Sequence, residues 1–174
     1  MKHRNSTDIA AALPHIQAAP DNNGSLEMIV TRPQEGARRQ LGDCVLSEAA
    51  GAHGDRWARE ATPGRQICLM NARCIDFIAG TRDRWPLAGN TLFVDLDLSA
   101  GNLPPGQRLA IGTAEIEITD TPHAAGARFA THFGTDAHDF VNSPDGTTHR
   151  LRGVFARVTR DGRVATGDRV RKFP

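Results

Sequence analysis

Between Thr119 and Phe140 the chain reads TDTPHAAGARFATHFGTDAHDF, with three histidines and one arginine set among very small side chains. Imidazoles can ligate metals or carry protons, and small residues let a ligand reach the backbone. The spacing limits the chemistry. His123, His132 and His138 lack the H-x-x-x-H interval that puts two imidazoles on one helical face. Cys44, Cys68 and Cys74 lie far upstream and form no C-x-x-C pair, so the residues point to no metal site. There is no G-x-S-x-G elbow for a serine hydrolase and no G-x-x-x-x-G-K-[ST] phosphate loop.

What remains is anion recognition. HGDRW supplies Asp55 and Arg56, TPHAAGARF supplies His123, Gly126 and Arg128, and HRLRG supplies Arg150 and Arg152. Guanidinium forks match phosphate and carboxylate geometry, so the expected partner is an anionic small molecule bound by Asp55, Arg56, His123, Gly126, Arg128 and Arg152. The same spacing also fits arginines that are solvated or tied up in surface ion pairs. Among the thiols, Cys74 falls on the apolar face of a helix and reads as core. Cys44 and Cys68 fall in strands whose facing the sequence leaves open.

Composition narrows the class. At 174 residues, 24% charged and 39% hydrophobic, the chain suits one globular core. A formal net charge of +1 argues against a nucleic-acid-binding face. Of 21 basic residues, 19 are arginines, and the lysines are Lys2 and Lys172 near the ends. A pyridoxal enzyme working through an interior lysine is thereby excluded. No apolar run reaches membrane-spanning length, and IAAALP is too short for a signal peptide. The chain reads as cytoplasmic, with no membrane partner and with a second copy of itself as a candidate for homodimerisation.

The elements that must hold these residues are mostly strands. Residues 1–24 read as a helical appendage, capped at Ser6, Thr7 or Asp8, stopped near Pro14 and followed by a turn at DNNG. Residues 25–174 read as the main domain. LEMIVTRP, LGDCVLSEA and RQICLM have strand composition, and GAHGDRWAREATPG between the last two reads as an exposed loop. Asn71 and Gly80 bracket a two-turn helix. In NTLFVDLDLS, Leu92, Val94, Leu96 and Leu98 alternate with polar neighbours, and two further strands flank Gly112. GARFATHF predicts a helix ending at Gly134, and Thr135 caps another that Pro144 ends. Asp161-Gly162 predicts a hairpin between the last strand-like runs. Short strands, brief helices and frequent Gly/Pro turns predict a mostly β barrel.

The order GDRW, AGNTLFVDLDLSAGNLPPGQRLAIG, PHAAGARF, HFGTDAHDFVNS, RLRGVFARV, DGRVATGDRV resembles the MOSC domain family, named for the C-terminal domain of molybdenum-cofactor sulfurase. The resemblance spans about Leu26 to Arg171 and implies a MOSC-like β-barrel with a few short helices. It further implies molybdenum-cofactor or pterin-like ligands, molybdenum ion binding, sulfur-carrier chemistry and a pyridoxal phosphate label that the lysine positions contradict. Many relatives carry a cysteine in a motif resembling P-H-T-G-C-x-K-F. Here that motif falls on Pro122 to Phe129, Gly126 stands at the cysteine and Arg128 at the lysine. Glycine can neither hold a persulfide nor ligate a metal. Three readings follow: an anion-binding domain without the sulfur-carrying thiol, a sulfur-transfer or molybdenum-dependent enzyme using another cysteine, and a non-catalytic scaffold.

Overall fold

The computed structural model describes residues 2–174. In chain order its elements are α1 (Ser6–Gln17), β1 (Gly24–Thr31), β2 (Arg39–Leu41), β3 (Asp43–Ser47), β4 (Gly51–Ala52), α2 (Trp57–Glu60), β5 (Ile67–Asn71) and α3 (Ala72–Ala79). A 3₁₀ helix (Arg82–Ala88) precedes β6 (Leu92–Asp95), β7 (Arg108–Ile111) and β8 (Ala114–Ile118). Then come α4 (Ala127–Phe133), α5 (Thr135–Asn142), α6 (Pro144–Thr148), β9 (Val154–Arg160), β10 (Gly162–Ala165) and β11 (Arg169–Phe173).

Strands pair in the order β11-β7-β8-β9-β5-β6-β1, and β11 returns to β1 through Gly24 opposite Val170. The sheet thus closes into a mostly β, seven-stranded barrel, which leaves no open edge within the ring. Among the described residues only β5 and β6 pair in parallel. A smaller sheet, β10-β3-β4, lies beside it.

Two apolar clusters explain the sequence pattern. Leu26, Ile29, Leu69, Leu92, Val94 and Ile116 belong to the barrel cluster. Met28, Val30, Met70 and Phe93 join Ile9, Ile16, Ile75 and Phe133 of the helices in the second. β5 and β6 are therefore buried on both faces, so their apolar residues run consecutively rather than alternate. The four-repeat strand predicted through Leu98 is shorter than expected for this reason: pairing ends at Asp95, and Leu96 and Leu98 reach the barrel cluster from the connecting loop. A bulge at Glu27 puts Leu26 in the first cluster and Met28 in the second, although strict alternation would place both on one face.

Other local expectations are corrected. α1 is capped by Asn5, whose side chain accepts from Asp8 N, rather than by Ser6, Thr7 or Asp8. It continues through Pro14 to Gln17, because Ile16 is 3% exposed in the helical cluster and its burial offsets the bond that proline cannot make. An interior proline costs a helix about 3 kcal/mol or more, and the burial of Ile16, worth about 1.5–3 kcal/mol, recovers much of that. Asn71 and Gly80 do cap α3. Gly134, not Thr135, is the N-cap of α5, and Pro144 opens α6 at its first position behind a Ser143 cap.

The Asp161-Gly162 hairpin is absent. β9 pairs with β8 and β5, while β10 crosses to β3 with Val164 opposite Cys44. Gly162 serves a close approach instead: a Cβ there would lie 2.4 Å from the backbone of Thr113.

Candidate anion-binding site

Arg152 sits in the short link between α6 and β9 and carries the least expected environment in the protein. Its Nη1 donates to Asn90 Oδ1 at 2.6 Å and its Nη2 to the Ala88 carbonyl at 2.8 Å. The Phe129 ring lies 5.1 Å from the guanidinium carbon. Its Nε is buried without a hydrogen-bond partner, and among the described residues no carboxylate is paired with it. Burial lowers its pKa, yet guanidinium stays charged in proteins. The fold places it through Gly153, whose φ of +117° brings the chain against β5, where a Cβ would stand 2.3 Å from the Leu69 carbonyl.

Further arginines gather beside it. Arg32, Arg38, Arg56, Gly126, Arg128 and Arg152 line a cavity of about 320 Å³. An adjoining cavity of about 180 Å³ shares Arg32 and Arg56 and adds Trp57, Arg65 and Phe155. Arg38 is fixed by donating to the carbonyls of Pro86 (3.1 Å) and Ala37 (2.9 Å). Burial lowers its pKa, and so do the like charges of Arg32, Arg56 and Arg128. Six arginines thus share this region with three paired carboxylates: Asp55 on Arg32, Glu60 on Arg56 and Glu35 on Arg128. The excess of positive charge is built into the fold.

Asp55 does not line the cavity. It is 3% exposed and accepts from Arg32 N, Nε and Nη2 at 2.8, 3.1 and 3.2 Å and from Trp57 N at 3.0 Å. Burial alone would raise its pKa, but the Arg32 bond and charge and the two N–H groups outweigh that and hold it below the usual carboxylate range. Its role is to fix Arg32 from behind. His123 is also set apart from the 320 Å³ cavity, lining another of about 280 Å³ whose wall includes Arg150 and Arg152. Its ring stacks on Phe155 at 4.3 Å, and Nδ1 lies 3.3 Å from Cys68 Sγ. Burial, then the charges of Arg152, Arg65 and Arg32, push its pKa down to about 3, so it is neutral.

Of the residues read from the sequence, then, Arg56, Gly126, Arg128 and Arg152 meet around one cavity, Asp55 supports it, and His123 borders Arg152 from a separate one. Sequence reasoning missed Arg32, Arg38 and Asn90, and it left the facing of Cys68 open. The facing of Cys68 follows from parity once Ile67 and Leu69 are in the barrel cluster, since neighbours on a strand point opposite ways.

Cys68 is 3% exposed and accepts from Asn90 Nδ2 at 3.0 Å. Burial pushes its thiol up to about 11, with Arg152, Arg32 and the Asn90 bond only partly opposing this. A neutral thiol that accepts from Asn90 and donates to His123 Nδ1 satisfies all three groups. Gly126 has φ of −104°, and a Cβ there would meet nothing within 4 Å, so neither strain nor crowding requires a glycine at the family's cysteine position. No three His, Cys, Asp or Glu side chains gather as metal ligands among the described residues. No helix among them is long and apolar enough to cross a membrane.

The closed mixed barrel with its short helices is a MOSC-like fold. Among solved structures the chain is similar to YuaD from Bacillus subtilis, with a TM-score of 0.59 and 17% identity over 86% of this chain and 95% of that one. YiiM from Escherichia coli gives a TM-score of 0.58 and 18% identity over 86% of this chain and 70% of its own. The crystal structure of a hypothetical protein gives 0.62 and 20%, covering 86% of this chain and 68% of that one. At these identities the likeness is one of fold. No protein-family model and no curated protein matches the chain.

Proposed function

We propose that this chain is a MOSC-like domain that binds a small, multiply charged anion of the phosphate-ester or oxoanion class in its arginine-lined cavity. The reading rests on Arg152. A charged guanidinium whose bonds go to an amide and a carbonyl, with no carboxylate partner, is costly unless another anion completes it. Arg32, Arg38, Arg56 and Arg128 supply the further donors that a phosphate or pyrophosphate group needs.

These donors suit the phosphate of a pterin-type molybdenum cofactor, which when bound would bring its own metal chemistry. The protein's part would be to hold the anionic end with Arg32, Arg38, Arg56, Arg128 and Arg152. Gly126 offers the metal no sulfur, and there is no interior lysine for pyridoxal phosphate.

Sulfur transfer through a different cysteine has one observation in its favour, the closeness of Cys68 to His123. Against it stand the 3% exposure of that thiol and its pKa near 11, since the thiolate is the reactive form.

The test is isothermal titration with pyrophosphate, molybdate and a phosphorylated pterin, paired with thermal unfolding. A ligand at a hundred times its Kd stabilises a fold by about 2.7 kcal/mol, and Arg152→Gln should abolish that gain. Absence of heat and of any thermal shift with all three ligands would return the domain to a scaffold role.

A further inference from the structure

The three carboxylates paired with the cavity arginines differ in how firmly they are held. Asp55 is buried and takes four hydrogen bonds, so it cannot leave Arg32 without being stranded itself as an unpaired buried charge. Glu60 lies 3.6 Å from Arg56 in the same short helical stretch, four residues along. Glu35 is different. It comes from the segment between β1 and β2, reaches Arg128 across 93 residues of sequence, and both side chains are 69% exposed. Its pKa is lowered by the Arg128 hydrogen bond, then by the Arg128 charge and more weakly by Arg56, which puts it in the field of two arginines of the cavity.

We infer that Glu35 is a specificity-determining residue of the anion site proposed above: its carboxylate serves as an internal counter-ion on Arg128 that an incoming ligand must displace. The inference rests on that site being real. Exchanging one carboxylate for a ligand with one negative charge is electrostatically even at Arg128, so a monoanion gains little there. A ligand with two or more charges repays the exchange through Arg38, Arg56 and Arg152 as well, and the cavity therefore selects multiply charged anions. Of the three acids, Glu35 is the one whose pair is wholly at the surface, 69% exposed on both sides, whereas Arg56 under Glu60 is half-buried and Asp55 is buried itself.

The experiment is a double-mutant cycle at fixed ionic strength, titrating pyrophosphate into the wild type, Glu35→Gln, Arg128→Gln and the double variant. Glu35→Gln should tighten binding by about threefold, the reach of an exposed ion pair. On the Arg128→Gln background the same change should give no gain. Melting temperatures should match across the set, because both side chains are exposed. Unchanged or weakened affinity in Glu35→Gln, with the wild type still binding, would overturn the inference and leave the anion site standing. A gain that persists without Arg128 would also overturn it, since removing a negative charge anywhere nearby would then explain the effect. Failure of pyrophosphate to bind any of the four proteins would remove the site itself, and the inference with it.

Discussion

Arg152 donates to Asn90 at 2.6 Å, and Asn90, wholly buried, in turn donates to Cys68 Sγ at 3.0 Å. One amide therefore neutralises nothing while orienting both the buried cation and the buried thiol. Asn90→Leu should cost about 3 kcal/mol in urea unfolding, because it strands a charged donor inside the protein. Asn90→Asp should behave otherwise. It supplies the carboxylate that Arg152 lacks but gives up the donor to Cys68 Sγ and the Leu69 carbonyl, so it should cost less stability than Asn90→Leu. Affinity for pyrophosphate should drop at least about tenfold, one pair of opposite charges being worth that much. Equal anion affinity in Asn90→Asp and wild type would show that the charge of Arg152 does not serve the cavity.

The thiols should be silent. Burial raises Cys44, pushes Cys68 to about 11 and Cys74 to about 12, and all three are buried. A native-state assay with an aromatic disulfide reagent should therefore label none of the three, while full labelling should follow unfolding in denaturant. Rapid labelling of Cys68 in the native protein would revive the sulfur-transfer reading. Gly126→Cys provides the contrast. Nothing crowds that position, its φ suits any residue, and Arg38, Arg56 and Arg128 line the same cavity. The introduced thiol should react at neutral pH faster than free cysteine, with a pKa below the ordinary 8.5.

The barrel was legible because strand composition and turn chemistry are local, and Asn71 and Gly80 announced α3 correctly. Long-range choices were not. Asp161-Gly162 carries a hairpin signal, yet Val164 is buried opposite Cys44 and Arg163 pairs with Asp43, so partners more than a hundred residues away decide where β10 goes. Arg128 and Arg152 could be picked out by the small residues and turns around them. Arg32 and Arg38 could not, since nothing in TRPQEGARR says that Asp55 fixes one and Pro86 the other. Asn90 opens the NTLFVDLDLS run, yet nothing there singles it out, because its meaning lies in Arg152, 62 residues later.

His123 gives the protein a pH signature. Its pKa falls from the usual 6.5 to about 3 on folding, through burial and the charges of Arg152, Arg65 and Arg32. Between those values the unfolded chain binds a proton that the folded one does not, so stability rises with pH across this window. The contribution is complete above about pH 6.5 and is lost as the solution is acidified toward 3, by up to about 1.4 kcal/mol per pH unit. His132 shifts in the same direction, from burial and from Arg38, Arg84 and Arg128. Denaturant titrations between pH 6.5 and 4.5 should show a smaller slope for His123→Asn than for wild type, and His132→Asn should remove less. This window avoids Asp55 and Glu35, whose lowered pKa values confine their losses to more acid solution. An unaltered slope in His123→Asn would mean that the ring titrates freely in the folded protein.

Gly153 and Gly126 both adjoin the arginine cluster, and they should respond oppositely to the same small change. Gly153 has φ of +117°, and an added Cβ would lie 2.3 Å from the Leu69 carbonyl and 2.7 Å from Asn90 Nδ2. Gly153→Ala must therefore push the Arg152 segment off β5 and disturb the amide that holds the guanidinium. We expect a loss of about 3 kcal/mol in urea unfolding, from backbone strain and overlap together, along with weaker pyrophosphate binding. Gly126→Ala should change stability by less than about 0.5 kcal/mol, because its backbone is unstrained and its surroundings are open. Should Gly153→Ala unfold at the wild-type denaturant concentration, the approach of this segment to β5 cannot be as close as described, and the placement of Arg152 would have to be redrawn.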